Sequence, residues 1–573
     1  MFQQFPLLWQ VSLLCYDISS SGLDSTWTDI IKFDWVYNIE QSYALTGSPA
    51  YATVNNKPVV EIWGTGFTGN HPGTEQETID LINFFKARGC YVIGGVPTYW
   101  RTETGDSKPG FLNAYKTYNM ISPWSVGRFG DNPGALNFKN NLIIPDKTYC
   151  VQNGIDYLPV IFPGFSWSQW NNSTANAPNT IPRKAGDFWW QQALNIKSAG
   201  IGAMYFAMLD EYDEGTAIMK IATDYTMLPS DQYFVSTSAD GIWTSSDFYL
   251  RLAGAGTELL KGTITGSASV PISYSLGPIY YRNGFEKRYT VYNATGAPGS
   301  GTGYFNIDPC FYNDTSVSLT NVIAPSVTIE NNPTYAKSGL FTTKITGTPS
   351  SSSNASYYYK ISETKIPVKA NMQLSFWKYS LNNSGQYTSV DLLFQSGKRL
   401  SNLPAYIDNN GKAMTPAIAR GTVGTWQNFT CQIGKNELIG DVITGIIIGY
   451  NHPVANGTFT AYFDDIIVED AADSTVTSID NLTDSKTSNI FIYPNPVKEG
   501  KNITIQLTPP NAVKYQVHLY NYLGQAVYQT SVNAVNNIFA YSLDLPNQLA
   551  AGIYTIEIIS ESGNRSMQKI MIE

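Results

Sequence analysis

Between residues 11 and 260, short apolar runs recur at 11–18, 58–64, 91–97, 120–124, 157–164 and 202–209, each separated by enough chain for a helix. Apolar runs of this length, without polar alternation, read as strands buried on both faces. Several intervening stretches carry helical periodicity. The one from Glu75 to Arg88 stops at Gly89, and the one from Phe188 to Ala199 stops at Gly200. Glycine accepts the left-handed backbone that closes a helix C-terminus. Alternating buried strands and helices predict parallel βα units, with functional loops gathered at the strand C-termini. Six strands are countable where a closed (β/α)8 barrel needs eight. The pattern therefore predicts, over residues 1–261, a (β/α)8-type barrel lacking its first units; two degenerate strands hidden in the sequence are the other account.

Past residue 261 the period changes to two. The stretch 262–329 is β-rich and connects to 330–470, where runs such as Met372-Gln-Leu-Ser-Phe-Trp-Lys-Tyr alternate between Asn/Ser/Gly/Pro turns and predict one β-sandwich. A polar Asp/Ser/Thr-rich stretch, 471–489, has no large aromatic residue and reads as a linker. After it, 490–573 forms a compact unit of alternating strands. The expectation is a multidomain chain, a β/α barrel followed by all-β sandwich domains.

Composition narrows the chemistry. The net charge of −9, with no Lys/Arg run, argues against a partner of nucleic acid. Only 14% of the residues are charged, against a usual ~25%, while 13% are aromatic. Three histidines (His71, His452, His518), each in a different predicted domain, disfavour a catalytic zinc site, so no metal and no cofactor is expected for catalysis. The five cysteines (Cys15, Cys90, Cys150, Cys310, Cys431) include no CxxC pair and read as buried thiols. No stretch reaches the ~20 apolar residues of a transmembrane helix. The first ten residues lack a basic n-region and cleavage site, as expected of an N-terminally shortened form. Abundant Tyr, Trp, Asn, Ser and Thr suit sugars, whose rings present C–H faces and neutral hydroxyls.

One segment carries a candidate for chemistry. The run Gly202-Ala-Met-Tyr-Phe-Ala-Met-Leu leads directly into Asp210-Glu211-Tyr212-Asp213-Glu214-Gly215-Thr216, four carboxylates in five residues. Crowded carboxylates at a strand end raise the pKa of at least one. One protonated and one ionised acid is what glycoside hydrolysis needs. A solvated acidic turn or a calcium loop has the same composition. Aromatic and basic residues follow the other strands: Trp63; Tyr99, Trp100 and Arg101; Trp124 and Arg128; Trp167. As a set they suggest a sugar cleft, with Asp210 and Tyr212 beside the acids. His71 either lines that cleft or sits in a surface turn. No Gly-x-Ser-x-Gly elbow supports a serine mechanism.

The ordered motifs Tyr16-Asp-Ile-Ser19, Lys57-Pro-Val-Val60, Gly94-Gly-Val-Pro97, Ile121-Ser-Pro-Trp124, Leu158-Pro-Val-Ile-Phe-Pro-Gly-Phe-Ser-Trp167 and Met208-Leu-Asp-Glu-Tyr-Asp-Glu-Gly-Thr-Ala-Ile218 resemble bacterial proteins of glycoside hydrolase families 71 and 99. The resemblance covers about residues 15–260. It implies a retaining, endo-acting α-mannosidase-like hydrolase of an α-linked polysaccharide. Glu211 would deprotonate the sugar 2-hydroxyl for attack on C1, and Glu214 would act as general acid and then base. The family run Asn-Glu-Trp-His-Glu reads Asp210-Glu-Tyr-Asp-Glu in this chain, a departure that leaves the mannose specificity outside what the resemblance implies.

At the other end, Tyr493-Pro-Asn-Pro496, Leu519-Tyr-Asn-Tyr-Leu-Gly524, Gly552-Ile-Tyr554 and the final Lys569-Ile-Met-Ile-Glu573 are similar to C-terminal sorting domains of the type IX secretion system. That implies export by this machinery to a secreted or cell-surface location. The sandwich, through Gly421-Thr-Val-Gly-Thr-Trp426 and Ala461-Tyr-Phe-Asp-Asp-Ile466, resembles a jelly-roll carbohydrate-binding module, in which Asp464 or Asp465 would hold a structural calcium. A spacer role is the alternative. For the whole chain, a non-catalytic surface glycan-binding protein is the rival to the hydrolase.

Overall fold

The computed structural model describes residues 12–19, 26–167, 179–223, 228, 234–240, 242–292, 298–306, 315–339, 341–351, 353–454, 457–471, 489–493, 497, 502–508, 514–520, 526–533, 539–545, 549, 552–561 and 565–572. Cys310, most of the 471–489 linker, the Pro494-Asn-Pro496 motif and the Asn521–Gly524 part of the central sorting motif lie outside them. Residues 1–473 form one compact unit and residues 474–573 another.

Each of the six apolar runs in the first part carries strand. Parallel β1 (Leu14–Asp17), β2 (Lys57–Trp63), β3 (Tyr91–Val96), β4 (Met120–Pro123) and β5 (Asp156–Tyr157) pair in that order. β6 (Val160–Ile161) pairs in parallel with β7 (Tyr205–Phe206). The run at 157–164, read from sequence as one strand, is divided at Pro159. Leu158 donates its N–H to Ile121 on the β4 side, whereas the Pro159 carbonyl accepts from Tyr205 on the β7 side. Proline has no N–H to continue a ladder, so the chain changes neighbours there. Among the described residues no ladder joins β1 to β7, and the pairing is an open arc.

Helices cover one face of this arc. α1 (Trp27–Phe33) precedes β2, and α2 (Glu75–Ala87), which follows it, opens with a capping box: Thr74 accepts from the Glu77 N–H, and the Glu77 carboxylate accepts from the Thr74 N–H. This satisfies two orphan donors at once. α2 buries Leu81, Ile82 and Phe85 in one core with Val60, Ile62 and Val92 of the strands. The alternate strand positions Val59, Tyr91, Ile93 and Met120 form a second cluster on the other face. α3 (Asp187–Ser198) buries Trp189, Trp190, Ala193 and Ile196. Its Gln192 side chain accepts from the Phe162 N–H and donates to the Phe162 carbonyl, replacing a strand partner just where β6 ends.

The sandwich begins earlier than the 330 boundary read from sequence. β8 (Ile279–Asn283), β9 (Thr315–Thr320) and β10 (Val322–Asn331), all beginning within the stretch read as a connection, join its sheets. One sheet runs β10, β11 (Phe341–Pro349), β17 (Phe459–Asp470), β13 (Met372–Ser380), β15 (Trp426–Gln432), with β8 also on β17. The other runs β9, β12 (Ala355–Pro367), β16 (Val442–His452), β14 (Thr388–Phe394). Their inward residues, among them Leu374, Phe376, Val390, Phe429, Ile446 and Phe463, share one core. Trp243, in sequence terms part of the β/α region, packs into it too. The C-terminal unit is a second, smaller antiparallel structure of a three-stranded and a four-stranded sheet around Ile505, Val517, Leu519, Leu543 and Ile556.

Candidate active site

The acidic run forms a tight excursion after β7. Met208 and Leu209 receive the returning chain: the Ile218 N–H donates to the Met208 carbonyl at 2.9 Å and the Met219 N–H to the Leu209 carbonyl at 2.8 Å. Inside the excursion the Thr216 and Ala217 N–H groups both reach the Glu211 carbonyl, at 3.2 and 3.1 Å. Gly215 sits at φ +68°, where a Cβ would be strained and would also crowd Ser166. Two clamps hold the turn from outside. The Ser166 N–H donates to the Glu214 carbonyl at 2.8 Å. Arg183, 3% exposed, donates from Nη2 to the Gly215 and Ala217 carbonyls, with its guanidinium 4.5 Å from the Tyr249 ring centre.

This folding sorts the four carboxylates. Asp210 and Asp213 are exposed, whereas Glu211 and Glu214 are half-buried. Among the described residues neither glutamate has a Lys, Arg or His ion pair. Glu214 is pushed up to about 7, first by burial and then by the charges of Glu211 and Asp213. Glu211 is also raised, by burial and then by Asp213, Asp210 and Asp17, with the Thr216 hydroxyl, 3.3 Å from Oε2, opposing. Burial, more than the crowding anticipated from spacing, dominates both.

An aromatic wall lies at the same strand ends. Trp63 has its ring centre 5.2 Å from Trp124 and 5.2 Å from Phe67, and Phe67 stacks on His71 at 5.0 Å. Trp63 has room because its partner across the β2–β3 register is Gly95, where a Cβ would meet the indole at 2.2 Å. Trp124 and Trp167 flank one apolar cluster with Tyr205 and Met208, which leads to Glu211. His71 thus belongs to the wall; its imidazole is pushed down by burial, with the Lys108 charge adding to that.

Other expected cleft residues are placed differently. Trp100 is fully buried, edge-on to Tyr115 and Tyr149, with its indole N–H donated to Asp146 at 3.0 Å; it is a core residue. Arg101 is committed to the same Asp146 at 2.7 Å. Arg128 pairs with Asp106 at 2.6 Å and donates to the Thr98 hydroxyl, joining the loops after β3 and β4. Tyr99 is 39% exposed and lies over Gly105. Tyr212 donates its hydroxyl to the Lys220 carbonyl, bracing the excursion.

Sequence reading passed over Glu61. It lies at the centre of β2, 5% exposed, beside Cys15 in the β1–β2 register. Burial pushes it up to about 7, against a hydrogen bond from the Cys15 thiol, and its charge acts on Tyr205, which also feels Glu211. A single carboxylate inside Pro58-Val-Val-Glu-Ile-Trp63 was the available signal. Asp17, at the end of β1, adds to the field at Glu211 and His71.

Comparison with known proteins places the C-terminal unit in a class. Residues 491–573 match the family model of the secretion system C-terminal sorting domain. This is a type IX sorting domain, and it marks the protein as secreted or attached to the cell surface. No helix of the described residues is long and apolar enough to cross a membrane. No curated protein matches the chain. Among solved structures it is similar to two of the GH99 endo-alpha-mannosidase from Bacteroides thetaiotaomicron, each 14% identical over 44% of this chain, with TM-scores of 0.33 and 0.31 and covering 70% and 66% of those chains. It is also similar to the glycoside hydrolase domain of Endo-D from Streptococcus pneumoniae R6, at 10% identity over 89% of this chain and 74% of that one, with a TM-score of 0.28.

Proposed function

We propose that this exported protein is a glycoside hydrolase of an α-linked polysaccharide and that Glu211 and Glu214 are its catalytic pair. The observation that carries the reading is the excursion after β7, which half-buries two of four carboxylates without a cation among the described residues, at the strand ends that also carry the aromatic wall. A carboxyl near 7 keeps its proton on about half of the molecules at neutral pH, which lets it serve as general acid. In the retaining route, Glu211 takes the proton of the sugar 2-hydroxyl as that oxygen bonds to C1. Glu214 gives its proton to the departing glycosidic oxygen. Glu214 then removes a proton from water as the water opens the anhydro ring, and the 2-hydroxyl regains its proton from Glu211. Trp63, Trp124, Trp167 and Tyr99 offer ring faces to the polymer, and Asp210 is placed to accept from a sugar hydroxyl. The β/α arc is, in this reading, the part of a (β/α)8-type barrel that the six apolar runs supply.

Reducing-end release from α-mannan, α-glucan and xylose- or arabinose-bearing polymers, with wild type beside Glu214→Gln, tests the proposal. Release that the substitution abolishes is the expected result. Equal release by both proteins sinks the assignment, and binding of glycan without release favours the rival, non-catalytic glycan-binding reading.

The sandwich's chain order, alternating between its sheets from β11 to β17, supports a jelly roll. A structural calcium belongs to the same proposal. Asp464 is fully buried and pushed up to about 8 by burial and by Asp465, and it accepts from the Lys337 and Ser338 N–H groups. The Glu286 carboxylate borders the same loop, accepting from the Phe341 N–H. A cation there would offset the buried Asp464 carboxylate, with Asp465 and carbonyls among the 6–8 oxygens that calcium takes. A chelator-induced fall in the melting temperature of the sandwich is the expected sign.

A further inference from the structure

The outer face of the larger sandwich sheet carries a feature that the core does not require. Along β13 the inward residues Leu374 and Phe376 fill the core, so Ser375, Trp377 and Tyr379 point to the opposite face. Tyr379 is the register partner of Tyr462 on β17 and of Trp426 on β15. Three aromatic side chains therefore stand abreast on three adjacent strands, with ring centres 6.3 and 5.8 Å apart. At an interstrand spacing of ~4.8 Å this rung is ~10 Å wide. Tyr335, from the loop before β11, lies parallel on Tyr462 at 4.4 Å and edge-on to Tyr379 at 5.4 Å. Tyr462 is thereby covered, while Tyr335, Tyr379 and Trp426 remain half-exposed.

The surroundings of the rung are neutral. One step along the strands Trp377 faces Asn428, and the next step pairs Ser375 with Thr430. The nearby charges are already engaged: Lys344 pairs with Glu330 at 3.1 Å, the Lys337 ammonium sits 4.3 Å from the Trp377 ring centre, and Glu469 accepts from Gln373. An outward sheet face ordinarily carries polar residues, and a contiguous aromatic patch marks an interaction site. Beside Trp377 the Asp464 carboxylate of β17 is fully buried and accepts from the Lys337 and Ser338 N–H groups, so it is withdrawn from the surface. Fixed rings beside amides and hydroxyls match a neutral sugar chain: the rings meet its C–H faces and Asn428 and Thr430 meet its hydroxyls.

We infer that the Tyr335–Tyr379–Trp426 rung on the outer face of the larger sandwich sheet is a binding platform for a neutral polysaccharide strand, separate from the Glu211–Glu214 excursion. This rests on the polysaccharide reading of the function. The test is native affinity electrophoresis of the full chain through gels holding soluble α-mannan, dextran or arabinoxylan. Four proteins are compared: wild type, Glu214→Gln, Tyr379→Ala/Trp426→Ala and Tyr335→Ala. On at least one polymer, wild type and Glu214→Gln should be retarded alike, and the rung variants at least fivefold less. Tyr335 lies in a loop, so its variant decides the matter should the double variant lose its cooperative melt. Equal retardation of Tyr335→Ala and wild type overturns the inference, as does free migration of wild type through every gel. Free migration of a protein that still cleaves the polymer refutes the platform and leaves the hydrolase standing; retardation without cleavage does the reverse. Loss of a dimer in the rung variants, with glycan retardation intact, would show that the face joins copies of the chain instead.

Discussion

The sandwich and the β/α region both bury charge, and, with Asp464 of the sandwich and the Arg101–Asp146 pair of the β/α region as exceptions, they treat it in opposite ways. In the sandwich, Arg420 and Asp408 are both fully buried and meet at 2.7 Å, and Asp391 is held by Arg399 at 2.7 Å. Lys378, 1% exposed, donates to the carbonyls of Gln386, Thr388 and Arg420 at 2.8–2.9 Å. In the β/α region, Glu61 within β2 and Glu211 and Glu214 after β7 have no counter-cation among the described residues, and all three are raised. A buried charge that is paired maintains a fold; one left unpaired costs stability and keeps a proton available near neutrality. Neutralising a charge should therefore separate the two regions, losing activity in one and stability in the other.

The largest effect is expected at Glu214. Removing a general acid costs roughly 100- to 10,000-fold, so Glu214→Gln should lower kcat/KM on the cleaved polymer by that order. Its melting temperature at pH 8 should be no lower than that of wild type, because the substitution removes a desolvated charge. In the sandwich, Asp408→Ala should leave cleavage of a short soluble substrate unchanged and cost roughly 3–5 kcal/mol of stability, since Arg420 is left buried and unpaired. Denaturant unfolding checks this; an Asp408→Ala protein as stable as wild type would remove the contrast.

Glu61 sharpens the comparison through pH. Its folded pKa of about 7 lies above the unfolded value near ~4.3. Between those values the folded state keeps a proton that the unfolded state has released, so its contribution falls as pH rises through this window and is fully unfavourable above it. Glu61→Gln should be neutral near pH 4 and stabilising at pH 8, by no more than roughly 4 kcal/mol for the shift. A gain of equal size at both pH values would show packing, not ionisation, to be the cause.

How far the sequence went depends on the range of the interactions. The six strand-bearing runs and the helices at 75–87 and 187–198 were legible because period and caps are local. The acidic excursion was legible because its four carboxylates are adjacent. What escaped depends on partners far along the chain. Trp100 and Arg101 looked like cleft residues until Asp146, more than forty positions on, turned out to hold both. The strand at 279–283 was unreadable as part of the sandwich because its partners, such as Val468 for Tyr281, lie almost 190 positions away. Glu61 was hidden for a different reason: one carboxylate hardly alters an apolar run, and only the register that sets it beside Cys15 shows which face it takes.

The smallest effect is the most specific to the excursion. With Glu214 near 7, its protonated fraction falls as pH rises through that value, so kcat/KM should decline about tenfold per unit above it, and Glu214→Gln should lack that limb. Asp213 is exposed, yet its charge is one of the two that hold Glu214 up. Asp213→Asn should therefore move the limb to lower pH by less than about one unit, since solvent and salt screen an exposed charge. High salt should move the wild-type limb in the same direction and leave the variant's nearly still. A limb unmoved by either change would mean that burial alone sets the Glu214 proton. The cluster of four acids would then reduce to the two that the turn buries.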